Sequence, residues 1–326
     1  MQDFCAFFLK NVCLTHKKAV SLHRICMNKR ILHILEWCIA ILAYAYLIYK
    51  LVTYDQYDSL ALSLRSMTIS QWIAFGLCVA LMPLNLFFEA WKWQTLWNRD
   101  RSSDTLSMNI SDAHRQIYYS KLAGLITPYH IGEYPARAML MPEGSLPRIL
   151  SLGAVAGTTT TASIIIIGSL ALPFLPAVYA ALGDNYIYLL IAIIAALIIA
   201  LILSPKLLRR WTDVSHTTIG ISLGQSVLRL FCWYLQLALI LYALCPFTFS
   251  LSPFNFQFSP FNFLLLPVYY LLISVTPNVP VVEAGVRGAW AMFLFGSVNA
   301  ALAGVLLWAI NTLLPCLCWL FIRKRA

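Results

Sequence analysis

Charged residues are scarce in this chain, and their scarcity excludes most classes of soluble protein. Only 11% of the 326 residues are charged, whereas 60% are hydrophobic. A soluble domain carries about 25% charged residues. Several uninterrupted apolar stretches reach the roughly 20 residues that a helix needs to cross a bilayer. We therefore expect an integral membrane protein in which one membrane domain takes up nearly the whole chain.

Recognisable metal and cofactor motifs are also missing. The sequence has no H-E-x-x-H element and no run of adjacent aspartates. Its nine cysteines are scattered, and Cys316 and Cys318 are too close for an ordinary disulfide and lack a matching pair for a metal site. We predict no metal, no cofactor and no disulfide framework, and we expect a protein that is not an enzyme.

Basic residues outnumber acidic ones by 23 to 13, which gives a formal charge of +10. They lie between apolar stretches and do not form one surface, so we predict no nucleic-acid partner. This is the distribution of the positive-inside rule. It places four segments in the cytoplasm: the N-terminus, 92–115, 205–213 and the C-terminus. The expected location is the bacterial inner (cytoplasmic) membrane.

The apolar stretches predict an all-α polytopic membrane protein with six full transmembrane helices, at 31–52, 71–91, 148–172, 186–204, 219–244 and 299–321. Two more stretches, 116–141 and 262–296, are broken near their middle by Thr-Pro. Proline removes a backbone donor and disfavours helix in the residue before it. Each half is too short to cross a membrane, so we predict two re-entrant pairs of half-helices.

This layout divides the membrane domain, 31–322, into two units. Repeat 1 covers about 31–172 and repeat 2 about 186–322, each with three crossings and one re-entrant pair. An odd number of crossings inverts the second unit, as in many secondary transporters. A basic cytoplasmic or interfacial segment, 1–30, precedes the domain and a basic tail, 323–326, follows it. Met27 is an alternative start to Met1.

The two breaks carry the same short motif. The first copy reads Thr127-Pro128-Tyr129-His130-Ile131-Gly132-Glu133 with Arg137 four residues later, and the second reads Thr276-Pro277-Asn278-Val279-Pro280-Val281-Val282-Glu283 with Arg287 four residues later. Residues at i and i+4 share one helix face, and arginine binds phosphate with two parallel hydrogen bonds. Helix N-termini attract anions. Paired interruptions in two halves of a membrane protein point to a transport site.

Lys121 and Arg229 are added to this candidate site. A charge near the bilayer centre costs about 3 kcal/mol and is seldom kept without a use. The predicted substrate-binding residues are Lys121, Thr127, His130, Glu133, Arg137, Arg229, Thr276, Glu283 and Arg287. The predicted hinges are Pro128, Gly132, Pro277 and Pro280.

Structural alternatives stay open for these residues. The two Glu–Arg pairs could merely neutralise each other, Arg229 could be a strut, and His130 could cap or pack. Glu89, Trp91 and Lys92, at the end of the second span, are interpreted as an interfacial anchor.

At these motifs the chain resembles the flippase-like family, also described as the lysylphosphatidylglycerol synthase transmembrane region. That family has a T-P-G-x-x-G-E-x-x-R-like element and, later, a P-x-P-G-G-x-G-x-x-E-like element. Gly132, Glu133 and Arg137 match the first element, with Tyr129 in place of a glycine. Pro277 and Glu283 match the second, which here lacks the glycine pair.

The resemblance implies a membrane domain that moves or holds a lipid with a phosphate-containing head group. No aminoacyl-transferase domain follows the last span, so a stand-alone flippase-type module is expected. The expected partner is a membrane lipid: an anionic or aminoacylated phospholipid, or a polyprenyl-phosphate lipid. A homo-oligomer is compatible with the sequence. Two alternatives are an intramembrane transferase acting on a polyprenyl-phosphate-linked sugar and a secondary transporter of a small anion.

Overall fold

A computed structural model describes residues 65–99, 107–127, 130, 132–141, 146–175, 183–195, 214–245, 260–276 and 280–322. These residues belong to one compact unit, Ala43–Ala326. They are almost entirely helical, and no strand occurs among them, which confirms the all-α class for this part of the chain. The predicted segment 1–30, the span 31–52, the tail 323–326, Pro128 and Pro277 lie outside the described residues.

The helices are α1 Ile69–Arg99, α2 Ile110–Ile126, α3 Glu133–Ala138, α4 Leu146–Ala171, α5 Tyr186–Ala195, α6 His216–Leu244, α7 Pro260–Val275, α8 Pro280–Phe295, α9 Val298–Trp308 and α10 Leu314–Ile322. A π-helical segment, Ala309–Leu313, joins α9 to α10.

Four of these elements are long and apolar enough to cross a membrane: α1, α4, α6 and the run Val298–Trp319. They fall close to the spans predicted at 71–91, 148–172, 219–244 and 299–321. The span predicted at 186–204 is described only over α5. The structure therefore supports a helical membrane protein, with α1 and α6 forming its largest helix–helix contact.

The segment 92–115, predicted as a cytoplasmic loop, is helical at both ends, whereas residues 107–109 within it are not helical. Helix α1 continues to Arg99, and α2 begins at Ile110. The helix continues because Lys92, Trp93 and Leu96 are buried against neighbouring helices, although hydropathy alone counts the segment as polar.

Both helix breaks fall at the threonines where they are predicted. In the first, the hydroxyl of Thr127 donates to the carbonyl of Ala123 at 3.0 Å and accepts from the amide of Gly132 at 2.9 Å. In the second, the hydroxyl of Thr276 donates to the carbonyl of Ile273 at 2.7 Å. Each threonine thus supplies hydrogen bonds to backbone groups that the end of a helix leaves free.

Gly132 is required by a close approach. Its backbone is right-handed (φ −66°, ψ −15°), but a Cβ atom there would lie 2.7 Å from the hydroxyl oxygen of Thr127 and 2.9 Å from the carbonyl oxygen of Ala123. The prediction that Gly132 is a hinge is not tested by this geometry. Pro280, another predicted hinge, is the first residue of α8, a position that proline favours.

Candidate functional site

A cavity of about 440 Å³ lies among the helices, and charged side chains from five of them reach it. Helices α1, α2, α3, α4, α6, α7 and α8 contribute to its wall, together with the π-helical segment and His130, which belongs to the first break (residues 127–132). Its charged and titratable lining residues are Glu89, Lys92, Lys121, His130, Glu133, Arg137, Arg229, Glu283 and Arg287. Glu89 comes from a segment far in sequence from the cations Lys121, Arg137 and Arg229, so the fold brings them together.

Glu89 lies at the centre of the first group of charges. Its Oε2 accepts from Nη2 of Arg229 at 2.6 Å, and its Oε1 accepts from Nη2 of Arg137 at 3.2 Å. Nζ of Lys121 lies 3.4 Å from the same Oε1. Glu89 is 7% exposed, so three cations from three helices converge on one buried carboxylate.

Glu133 forms a second acceptor beside Glu89. Its Oε1 accepts from Nζ of Lys121 at 3.0 Å, and its Oε2 lies 3.5 Å from Nη2 of Arg137. The guanidinium of Arg137 also lies 4.7 Å from the ring centre of Trp93, a cation–π contact. The Glu133–Arg137 pair is therefore part of a network and does not simply neutralise itself.

Glu283 and Arg287 on α8 form a closer pair. Oε1 of Glu283 accepts from Nη2 of Arg287 at 2.6 Å and from its Nε at 3.0 Å. Oε2 accepts from the indole Nε1 of Trp308 at 3.1 Å and lies 3.3 Å from Nε2 of His130. His130 thus connects the first break to the helix that follows the second break (residues 276–279).

Lys92 is a buried cation that is bonded to neutral oxygens. Its Nζ donates to the carbonyl of Ala156 at 3.0 Å and to the hydroxyls of Thr160 at 2.5 Å and Ser226 at 3.1 Å. Lys92 is 3% exposed. Its three partners are thus a carbonyl and two hydroxyls, and none of them is a carboxylate.

The interpretation of Glu89, Trp91 and Lys92 as an interfacial anchor is wrong for two of the three residues. Glu89 and Lys92 are buried and line the cavity. Trp91 faces outward, 38% exposed, and stacks on Phe87. Helices α4 and α6 cover Glu89 and Lys92 but leave Trp91 exposed.

Seven of the nine predicted substrate-binding residues line the cavity: Lys121, His130, Glu133, Arg137, Arg229, Glu283 and Arg287. Thr127 and Thr276 are not among its lining residues, because their hydroxyls are hydrogen-bonded to the backbone at the helix breaks.

Sequence reasoning missed Glu89, Lys92, Asn85 and Asn311 as lining residues. A signal existed for three of them, since Asn85, Glu89 and Lys92 follow one another at intervals of four and three residues and so share one face of α1. Asn311 reaches the cavity from the π-helical segment, which no spacing in the sequence predicts. Segments of this kind often occur at functional sites.

A serine-hydrolase pattern, G-x-S-x-G, occurs at Gly220-Ile221-Ser222-Leu223-Gly224. Its catalytic form places the serine on a sharp strand-to-helix turn. Here the pattern lies inside α6, and Ser222 is fully buried and 3.0 Å from the hydroxyl of Thr159. The serine therefore serves helix packing.

The cavity carries more positive than negative charge. Five basic residues (Lys92, Lys121, Arg137, Arg229 and Arg287) face three carboxylates (Glu89, Glu133 and Glu283). When Lys92 is protonated and His130 is neutral, this leaves an excess of two positive charges. Such an excess in a buried site favours an anionic ligand. No protein-family model and no curated protein sequence matches this chain.

Proposed function

We propose that the protein is a membrane lipid transporter of the flippase type, which takes a phosphate-containing lipid head group into this cavity. The observation that carries the proposal is the excess of two positive charges among the residues that line the cavity. A phosphodiester would balance part of that charge, and guanidinium groups bind phosphate oxygens with well-defined geometry.

The side chains of the cavity are the anion-binding groups in this proposal. Helix N-termini are an alternative source of positive potential, but Glu133 and Glu283 occupy the first turns of α3 and α8. Carboxylates at these positions already interact with the partial positive charge at the N-terminus of each helix. The cations then bind the ligand, and the glutamates hold them in position when the cavity is empty.

The proposal includes the wider layout inferred from the sequence. Six crossings and two re-entrant pairs, α2–α3 and α7–α8, would form an inverted repeat with both termini in the cytoplasm of a bacterial inner membrane. The paired breaks, the basic loops and the resemblance to the flippase-like family support this layout.

The ligand can be tested directly by mass spectrometry of the protein purified from its own membranes. We expect an anionic phospholipid or a polyprenyl-phosphate lipid to co-purify with the wild type and to be depleted at least tenfold in Arg137→Ala/Arg287→Ala, since about 1.4 kcal/mol of lost binding energy is a factor of ten. Arg115→Ala, an exposed arginine on α2, is the control and should retain the lipid.

The same spectra separate the alternatives. A soluble anion in place of a lipid would favour a secondary anion transporter, and a sugar-linked polyprenyl phosphate would favour a transferase. An equal amount of lipid in the double variant and the wild type would contradict the assigned roles of Arg137 and Arg287.

A further inference from the structure

His130 occupies an unusual position in the first break. It has a left-handed backbone with φ of 53°, the only positive φ among the described residues that are not glycine. Residues other than glycine rarely adopt a positive φ, and strained residues of this kind cluster at functional sites. With this backbone the imidazole lies between two carboxylates: Nδ1 lies 3.6 Å from Oε1 of Glu133, and Nε2 lies 3.3 Å from Oε2 of Glu283.

Both carboxylates already accept hydrogen bonds from groups that can only donate. Glu283 accepts from Arg287 through Oε1 and from the indole of Trp308 through Oε2. Glu133 accepts from Lys121 through Oε1. The side chains of arginine, lysine and tryptophan contain no hydrogen-bond acceptor. The oxygens that face His130, Oε1 of Glu133 and Oε2 of Glu283, therefore both act as acceptors.

A neutral imidazole does not satisfy this arrangement. It carries one N–H, so its other ring nitrogen would turn a lone pair toward a carboxylate oxygen. The Nδ1 atom of His130 is buried and makes no hydrogen bond within the described part of the chain. A ring protonated on both nitrogens donates toward both glutamates.

The charged groups nearest to His130 are its two glutamates, Glu133 on α3 and Glu283 on α8. Each glutamate is also paired with cations: Glu133 with Lys121 of α2 and Arg137 of α3, and Glu283 with Arg287 of α8. The two glutamates are the groups in direct contact with the ring, so they decide where its protons lie.

We propose that His130, Glu133 and Glu283 form a proton-binding site in the cavity wall, and that the proton bound there crosses the membrane together with the anionic head group. The inference rests on the proposed function and names the ion that is coupled to it. The bound proton raises the excess charge of the cavity from two to three, so it strengthens the binding of an anion. By reciprocity, the anion strengthens the binding of the proton.

The balance of charge supports joint movement. A phosphodiester head group carries one negative charge, and moving a net charge across a polarised membrane works against the potential. One phosphodiester and one proton together move no net charge. The proton enters from water on the side of loading and leaves to water on the side of release, with no other bond made or broken.

The same proton links the two breaks. The ring of His130 belongs to the first break, and Glu283 belongs to the helix after the second, so the protonated ring holds the two segments together at 3.3 Å. Loss of the proton leaves at most a neutral hydrogen bond in place of the charged one, so it weakens the loaded arrangement of the cavity.

The first test measures the protonation state and does not depend on transport. Protein labelled with ¹⁵N-histidine is placed in phosphatidylcholine bilayers at pH 7, and the signal of His130 is identified by its loss in His130→Gln. We expect both ring nitrogens to be protonated in the wild type, and a neutral ring in Glu283→Gln. A neutral ring at His130 in the wild type overturns the proton site. This test needs only the wild type and His130→Gln, which identifies the signal.

The second test measures coupling. Phosphatidylcholine vesicles that contain the protein and a tail-labelled phosphatidylglycerol are given an interior one pH unit more alkaline than the outside. Coupling of one proton to one lipid predicts up to about tenfold enrichment of the label on the alkaline side, because one pH unit is equivalent to a factor of ten in the distribution. His130→Gln should abolish the enrichment, and His216→Gln, at an exposed residue of α6, should retain it.

The outcomes separate the two proposals. Label that crosses in the wild type but distributes evenly contradicts proton coupling and leaves lipid transport standing. Enrichment that persists in His130→Gln contradicts the assigned residue. If no label crosses in the wild type, both lipid transport and coupling fail, and the nitrogen signals of His130 alone decide whether the proton site exists.

Discussion

Glu89 is shared by Arg229, Arg137 and Lys121, which reach it from α6, α3 and α2. A buried charge is tolerated only when it is paired and hydrogen-bonded. One carboxylate therefore makes it possible for three cations to occupy the same cavity wall. In turn, the three cations fix the position of the carboxylate of Glu89 on α1.

Glu89→Gln should destabilise the protein strongly, because it removes the negative charge but leaves three cations buried. Removing one partner of a buried ion pair typically costs about 3–5 kcal/mol. We expect a clear fall in the melting temperature of the detergent-solubilised protein. Asp112→Asn, an exposed position in the first turn of α2, is the control. A Glu89→Gln variant as stable as the control would contradict the central position of Glu89.

Gly132→Ala tests the close packing at the first break. The added methyl group would lie 2.9 Å from the backbone oxygen of Ala123, so the backbone must move. Overpacking of this kind costs about 1–3 kcal/mol. The matched control is Gly220→Ala on α6, where no atom lies within 4 Å of the new Cβ. Thermal unfolding should show a loss at residue 132 and none at residue 220; equal effects would contradict this reading of the break.

The residues of the repeated motif could be predicted because a Thr-Pro is followed in both copies by a glutamate and an arginine four residues apart, Glu133–Arg137 and Glu283–Arg287. Glu89 and Lys92 were harder, because both also fit the end of a membrane span, where charged and aromatic residues commonly lie. The difference between an anchor and a buried charge depends on whether another helix covers it. That covering comes from residues such as Ser226 and Arg229, more than a hundred positions away in the chain.

At the scale of the helices, α1, α6 and the π-helical segment are joined by a chain of amide side chains. Oδ1 of Asn85 accepts from Nε of Arg229 and from the indole of Trp233, each at 2.8 Å, and its Nδ2 donates to Asn311 at 2.9 Å. Asn311 donates onward to Gln236 at 3.1 Å. This chain fixes the three elements around the cavity and orients the guanidinium of Arg229.

Asn85→Ala should weaken this junction. It leaves the donors of Arg229 and Trp233 without their acceptor, and an unsatisfied buried polar group costs about 1–3 kcal/mol. Leu84→Ala is the control, since Leu84 is the adjacent residue on α1 and is 42% exposed. We expect a lower melting temperature for Asn85→Ala than for Leu84→Ala, and the reverse order would contradict a junction held by Asn85.

The helices themselves illustrate what a sequence can and cannot predict. The breaks at Thr127 and Thr276 could be located, because proline and the Thr-Pro step act on neighbouring residues. The end of α1 could not, because the continuation through Lys92 and Trp93 depends on burial by other helices. The π-helical turn at Ala309–Leu313 also lacks a local cause that composition reveals, and it places Asn311 in the cavity wall.

At the scale of the whole molecule, the apolar helices surround a small volume that contains nearly all of the buried charge. Charged groups inside a membrane domain are costly and mark ligand pathways. The excess of cations gives this pathway a net positive charge, and that charge is the basis of the proposal that the ligand is an anionic lipid. The number of crossings and their inversion remain a prediction from the sequence.

Lys92 offers the most direct test of that proposal, because its hydrogen bonds go to neutral oxygens. Lys92→Met lowers the excess charge from two to one and leaves the ion pairs of Glu89, Glu133 and Glu283 with their own partners. The side chain remains long and unbranched, so the packing changes little.

The measurement is the rate at which tail-labelled phosphatidylglycerol and phosphatidylcholine cross vesicles that contain the wild type or Lys92→Met. We predict that the wild type moves the anionic lipid faster, and that Lys92→Met slows it about tenfold, as expected for a loss of about 1.4 kcal/mol, while the zwitterionic lipid is unaffected. Equal rates for the two lipids in the wild type, or an unchanged rate for phosphatidylglycerol in Lys92→Met, would contradict the claim that the positive cavity selects an anionic head group.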